Sequence, residues 1–264
     1  MKKITILDIM KMKGEGKKIP ALTAYDYPTA RILDEAGIPL ILVGDSAGMV
    51  VAGCPNTLSV TMDEMMYHTR AVARGNKNAL IVADMPFLAY QISVEDAKRN
   101  AGFLVRAGAE AIKLEGGLNR ADTIKAIVDM DIPVMGHIGL TPQSIHRMGG
   151  YRVQGREKKQ QKKLLGDAKA VEKAGAFSIV LEGIPADLAE EITETIAIPT
   201  IGIGAGPRCD GQVLVIHDIL GLYDNVQPRF VKRYVDLKKS ISSAVNEYAD
   251  DVRQGRFPGK GHSF

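Results

Sequence analysis

Three stretches of this sequence repeat one junction, and that repeat constrains the fold more than any other feature. They are Glu35-Ala-Gly-Ile-Pro-Leu-Ile-Leu-Val-Gly-Asp45, Arg106-Ala-Gly-Ala-Glu-Ala-Ile-Lys-Leu-Glu-Gly116 and Lys173-Ala-Gly-Ala-Phe-Ser-Ile-Val-Leu-Glu-Gly183. In each, Gly follows Ala where a helix C-terminus favours a left-handed residue. An apolar run of about four residues follows, and a carboxylate closes the unit seven or eight positions after the Gly. Gly37, Gly108 and Gly175 are therefore expected at helix ends, with Asp45, Glu115 and Glu182 at the far ends of strands.

Apolar β-branched runs of the same kind recur along the chain. The candidate strands are Ile19–Tyr25, Leu40–Gly44, Leu80–Asp84, Ala111–Leu114, Pro133–His137, Ser178–Leu181, Pro199–Ile203 and Gln212–Ile216. They are nearly all apolar instead of alternating, as parallel strands are when helices cover one side and a packed interior covers the other. Amphipathic stretches such as Ser93–Ala107, Thr123–Met130, Lys163–Ala174 and Ala186–Ile196 lie between them. Eight strands with a repeated αβ unit predict a (β/α)8 TIM barrel of class α/β. No Gly/Ser/Pro-rich linker divides the 264 residues, so a single barrel domain over 1–264 is expected, opened by an N-terminal helix with Thr5 as a possible cap.

Composition bears on partners. Lys+Arg 34 against Asp+Glu 31 gives +3, too mild an excess to imply a polyanion partner. The basic run Arg152–Lys163 has no interleaved aromatic residues and reads as a solvated loop and helix face. Neither nucleic acid nor membrane is expected. Asp8, Lys11 and Lys13 interrupt the apolar start as a signal peptide would not, and no apolar run approaches the roughly 18 residues that span a bilayer. Cys54 and Cys209 form no CxxC pair, which argues against a disulfide framework and a cysteine zinc site and favours a cytoplasmic location.

Catalytic groups of such barrels cluster at the C-terminal strand ends. Here five consecutive ends carry ionisable residues: Asp45, Asp84, Lys113 with Glu115, His137, and Glu182. Charges beside buried strands are costly unless paired or bound to a metal, so five together point to one site. Asp45 and Asp84, without nearby Cys or paired His, select a hard cation. Mg²⁺ fits best, leaving Glu115 as a direct or water-mediated third ligand. A 2-oxo acid could fill the open positions, and a cation at its ketone favours loss of the adjacent proton. Lys113, facing the same way as Glu115, could neutralise the substrate, and Glu182 is free to act as general base. Ser46 offers a hydroxyl to a carboxylate, with a helix N-cap as its alternative. His137 could donate to a substrate oxygen. His217 reads as structural, and His68, His146 and His262 show no partner pattern. Gly202–Gly206 does not match GxGxxG and reads as a close backbone approach to a ligand or a tight βα turn.

At these residues the chain resembles the ketopantoate hydroxymethyltransferase family. The likeness rests on Thr23-Ala-Tyr-Asp-Tyr27, Val43-Gly-Asp-Ser46, Val82-Ala-Asp-Met-Pro-Phe87, Ala111-Ile-Lys-Leu-Glu-Gly116, Gly136-His-Ile-Gly-Leu-Thr-Pro142, Leu181-Glu-Gly183, Ile201-Gly-Ile-Gly-Ala-Gly206 and Cys209-Asp-Gly-Gln-Val-Leu-Val215, and it spans nearly the whole chain. It implies a Mg²⁺-dependent barrel that moves a one-carbon unit from 5,10-methylenetetrahydrofolate to 3-methyl-2-oxobutanoate, giving 2-dehydropantoate. It also implies a cytoplasmic homo-oligomer, a decamer in typical bacterial members. The family pattern puts metal binding on Asp45, Asp84 and Glu115, substrate binding on Asp45, Ser46, Asp84 and Lys113 with His137 near the substrate, and proton abstraction on Glu182. Competing readings are another Mg²⁺ barrel acting on 2-oxo acids, such as an isocitrate-lyase-like lyase or a phosphonopyruvate-type mutase, and a binding barrel without turnover. The lyases use a Lys-Lys-Cys-Gly-type loop, which this sequence lacks.

Overall fold

The computed structural model describes residues 2–223 and 228–264. The chain forms two compact units, Met1–Val215 and Ile216–Phe264, where the sequence reading drew no boundary.

In the first unit eight parallel strands close into a barrel in sequence order: β1 (Ile19–Thr23), β2 (Leu40–Val43), β3 (Leu80–Asp84), β4 (Ala111–Lys113), β5 (Val134–Gly139), β6 (Ser178–Glu182), β7 (Thr200–Ile203) and β8 (Gly211–Leu214). The expected TIM barrel is thus observed, with strand ends moved by at most two residues and Leu80–Asp84 unchanged. β5 runs on to Gly139 because Ile138 and Gly139 pair with Leu181 and Glu182 of β6. β8 starts at Gly211, where any Cβ would lie 2.4 Å from the Ile19 carbonyl oxygen of β1, so only glycine lets the last strand close the ring. His217 lies past β8, in a short helix Ile216–Ile219 of the second unit.

The repeated junctions behave as expected. Gly37, Gly108 and Gly175 take φ of +79°, +113° and +96°, the left-handed conformation that ends a helix and turns the chain into a strand. Alternate residues of the strands fill the interior: Ile19, Ala21, Leu40, Leu42, Leu80, Val82, Ala111, Met135, Val180, Ile201 and Val213 form one buried cluster. Ile9, fully buried in the N-terminal helix Ile6–Gly14, joins that cluster. Thr5 does cap this helix: its hydroxyl accepts from Asp8 N–H while the Asp8 carboxylate accepts from Thr5 N–H. Lys13 from the same helix donates to the Thr193 and Ile198 carbonyls and pairs with Asp210 at 3.0 Å. Those partners precede β7 and β8, so the N-terminal helix covers the N-terminal end of the barrel and the opposite end is left for chemistry.

The second unit holds the short helix and a longer one, Leu237–Arg253, whose N-cap Asp236 accepts from Lys239 N–H. No helix among the described residues is long and apolar enough to cross a membrane.

Candidate active site

All five ionisable strand ends of β2 to β6 meet at the C-terminal mouth, and Asp45, Asp84, Lys113, Glu115 and His137 are buried there. Asp84, the last residue of β3, accepts the Asp45 backbone N–H on Oδ2 at 3.0 Å and pairs through Oδ1 with Lys113 Nζ at 3.1 Å. Lys113, the last residue of β4, also reaches His137 Nδ1 at 3.2 Å. From β5, His137 places Nδ1 3.7 Å from Glu115 Oε1 and Nε2 3.2 Å from Glu182 Oε2. His137 therefore stands between the two candidate carboxylates and the one ammonium group.

Burial sets the protonation states. Desolvation pushes His137 well below its usual range, and the Lys113 charge adds to that, so the imidazole is neutral; Nδ1 then accepts from Lys113, and Nε2 lies near Glu182 without an aligned hydrogen bond. Glu182 is raised to about 7, by burial against a smaller opposing pull from Lys113. Asp45 is raised to about 7 by burial and by the neighbouring Asp84 charge. Burial likewise carries Glu115 well above the usual carboxylate range. Burial alone would lower Lys113, but Asp84, Glu115 and Asp45 outweigh it and hold the ammonium charged above its ordinary value. Four carboxyl groups thus share one cation in a largely buried region.

That imbalance is the physical case for a divalent cation. Asp84 Oδ1 is buried without an aligned hydrogen bond, its ion pair apart, and the donors are oxygens only, which fits a hard cation such as Mg²⁺. Among the described residues no three His, Cys, Asp or Glu side chains are gathered closely enough to encircle an ion. The fit is to an ion held by one or two carboxylates and completed by other oxygens, with Asp45 and Asp84 nearest to that role.

Ser46 does not act as a helix cap. Its hydroxyl is bonded to Tyr25 Oη at 2.8 Å, and it makes no capping bond to the helix Ala47–Val50 that it precedes. Three residues that the sequence reading left unassigned hold the site together. Gln143, buried in the loop after β5, donates from Nε2 to Asp45 Oδ2 at 2.8 Å and to the Met85 carbonyl at 2.9 Å, and its backbone N–H donates to Glu115 Oε2 at 3.0 Å. Tyr90, equally buried, donates its hydroxyl to Gln143 Oε1 at 2.7 Å and accepts the Glu115 N–H at 3.0 Å. Gln143 therefore ties Asp45 to Glu115. Tyr25 holds Ser46 and is itself steadied by His68, whose Nδ1 lies 2.7 Å from the Tyr25 carbonyl. In the Gly202–Gly206 segment Gly206 approaches protein closely: a Cβ there would lie 2.5 Å from Ala186 Cβ.

Solved structures with the same fold include a phosphonopyruvate hydrolase, covering 99% of this chain and 93% of its own with a TM-score of 0.63 and 15% identity. A 2,3-dimethylmalate lyase aligns over 96% of this chain and 89% of its own, with a TM-score of 0.62 and 16% identity. At such identities the likeness shows the barrel alone. Sequence relatives are far closer. The 3-methyl-2-oxobutanoate hydroxymethyltransferase of Geobacter metallireducens is 66% identical over 264 residues, covering 100% of this chain and 99% of that protein. Its namesake from Geobacter sulfurreducens is 65% identical over 261 residues, or 98% of each chain. The family model described as ketopantoate hydroxymethyltransferase matches residues 3–260. With that match spanning almost the whole barrel and the second unit alike, the chain belongs to the ketopantoate hydroxymethyltransferase family.

Proposed function

We propose that this protein transfers a one-carbon unit from 5,10-methylenetetrahydrofolate to 3-methyl-2-oxobutanoate, forming 2-dehydropantoate for pantothenate biosynthesis with Mg²⁺ as its metal. The observation that carries this reading is the buried cluster in which a carboxyl poised near neutrality, Glu182, stands beside a neutral imidazole and a charged lysine. A base that takes a proton from carbon works best when its pKa lies near the working pH.

In this reading Asp45 and Asp84 hold the metal directly and Glu115 supports it directly or through water. A divalent cation there supplies electron withdrawal from the substrate's ketone. Lys113 and the Ser46 hydroxyl bind the substrate's anionic oxygens, with Asp45 and Asp84 beside them. Glu182 takes the C3 proton, with the neutral His137 imidazole 3.2 Å from the carboxyl that receives it. The electron pair left at C3 attacks the methylene carbon of the folate iminium, forming the new C–C bond. One water supplies the hydroxyl as the C–N bond to folate breaks, so oxo acid, methylenetetrahydrofolate and water become 2-dehydropantoate and tetrahydrofolate. The family resemblance adds a cytoplasmic location and a homodecamer to the proposal.

Proton NMR of 3-methyl-2-oxobutanoate with protein, Mg²⁺ and methylenetetrahydrofolate tests the reading. A hydroxymethyl product that disappears with chelator is expected. Oxo acid left unchanged by folded, metal-loaded protein would overturn it.

A further inference from the structure

Beside the carboxylate cluster, a cavity of about 280 Å³ opens between the ends of β4 and β5, with Glu115 in its wall. Phe87 and Tyr90 give it an aromatic side, and the Arg120 guanidinium lies 5.6 Å from the centre of the Tyr90 ring. The cavity does not stop there. It shares Asn119, Arg147, Lys163 and Asp167 with an outer space of about 450 Å³ that also meets Lys162. The combined groove runs from Glu115, at the edge of the carboxylate cluster, to the surface and offers more room than a five-carbon oxo acid requires.

Its charge changes along its length. The inner end carries Glu115, and the outer end carries cations. Lys163 is paired with Asp167, whose second oxygen accepts the Leu118 N–H. Arg147 and Lys162 have no carboxylate partner among the described residues, although both border the groove. A basic helix face beginning at Lys158, which the fold alone does not need, thus presents part of its charge to a groove that ends at the active site.

We propose that this groove is the folate subsite, with the glutamate carboxylates of the co-substrate on Arg147 and Lys162. The inference rests on the proposed transferase reaction. The chemistry of the ligand fixes its direction: the transferable methylene sits on the pterin ring system, which must lie inward near Glu115, Phe87 and Tyr90. The glutamate is at the opposite end, which brings it to the two unpaired cations. A flat heterocycle suits an aromatic wall, and carboxylates suit a guanidinium and an ammonium.

The test uses the double variant Arg147→Glu with Lys162→Glu; both side chains are exposed, so folding is not at stake. Calorimetry measures tetrahydrofolate binding to protein loaded with Mg²⁺ and 3-methyl-2-oxobutanoate, alongside tetrahydropteroate, which lacks the glutamate. The expected result is a Kd for tetrahydrofolate raised about tenfold or more. Tetrahydropteroate should bind parent and variant alike, and deuterium exchange at C3 of the oxo acid should be unchanged. Equal tetrahydrofolate affinity in parent and variant, with exchange intact, would overturn the subsite and leave the transferase reading standing. A parent that neither binds tetrahydrofolate nor exchanges the C3 proton would overturn both.

Discussion

Glu182→Gln should make the metal-free protein more stable once the pH rises above the ordinary carboxylate range, with the full gain reached above neutrality. Glu182 is held at about 7 against an ordinary 4.5, chiefly by burial. A carboxyl raised in this way binds more protons folded than unfolded between those two values. Stability therefore falls as pH rises through that window, and the full penalty is present above pH about 8. A rise of about 2.5 units at about 1.36 kcal/mol each amounts to about 3 kcal/mol. Glutamine has the same shape, does not ionise, and still offers an oxygen to His137 Nε2, which lies 3.2 Å from the native carboxylate. The variant should thus match the parent below pH 4.5 and exceed it by about 3 kcal/mol at pH 8.5. Urea unfolding of chelator-treated protein across pH 4 to 9 gives both curves. Parallel curves would refute the reasoning, because they would mean that burial does not raise this carboxyl.

Asp84→Ala should weaken Mg²⁺ binding at least tenfold by calorimetry, and it leaves the Lys113 ammonium without its 3.1 Å partner; unchanged affinity would remove Asp84 from the metal site. Gln143→Leu strips the amide bonds from Asp45, from the Met85 carbonyl and from the Tyr90 hydroxyl, all buried. At about 1 to 3 kcal/mol for each unmet group, the variant should lose at least about 3 kcal/mol in urea unfolding and bind Mg²⁺ more weakly. Full stability would show that Gln143 is incidental.

The barrel was legible because each of its parts leaves a local mark. Strands such as Leu40–Val43 are buried on both sides and so are written as unbroken apolar runs. Gly37, Gly108 and Gly175 mark the turns because few other residues accept their backbone angles. The ionisable ends were legible for the same reason, since a strand end fixes where the next side chain points. Gln143 and Tyr90 were not. They lie 53 residues apart and meet only because the loop after β5 folds back across the mouth. A neutral amide and a tyrosine carry no charge pattern that announces such a meeting. Tyr25 sat within a recognised segment, yet its bond to Ser46, 21 residues away, depends on the spacing of β1 and β2 in the closed ring. The Arg152–Lys163 run read as a solvated loop and helix face because no aromatic residues interleave its charges; the groove that Lys162 borders exists only in three dimensions.

The most direct test of the account is loss of the C3 proton of 3-methyl-2-oxobutanoate into D₂O, followed by NMR with Mg²⁺ and no folate. The parent should exchange the proton, and Glu182→Gln should do so about 10²-fold more slowly or worse, the scale of a positioned general base, while still binding Mg²⁺ and the oxo acid. Exchange at the parent rate in the variant would contradict the account, since the base would then lie elsewhere.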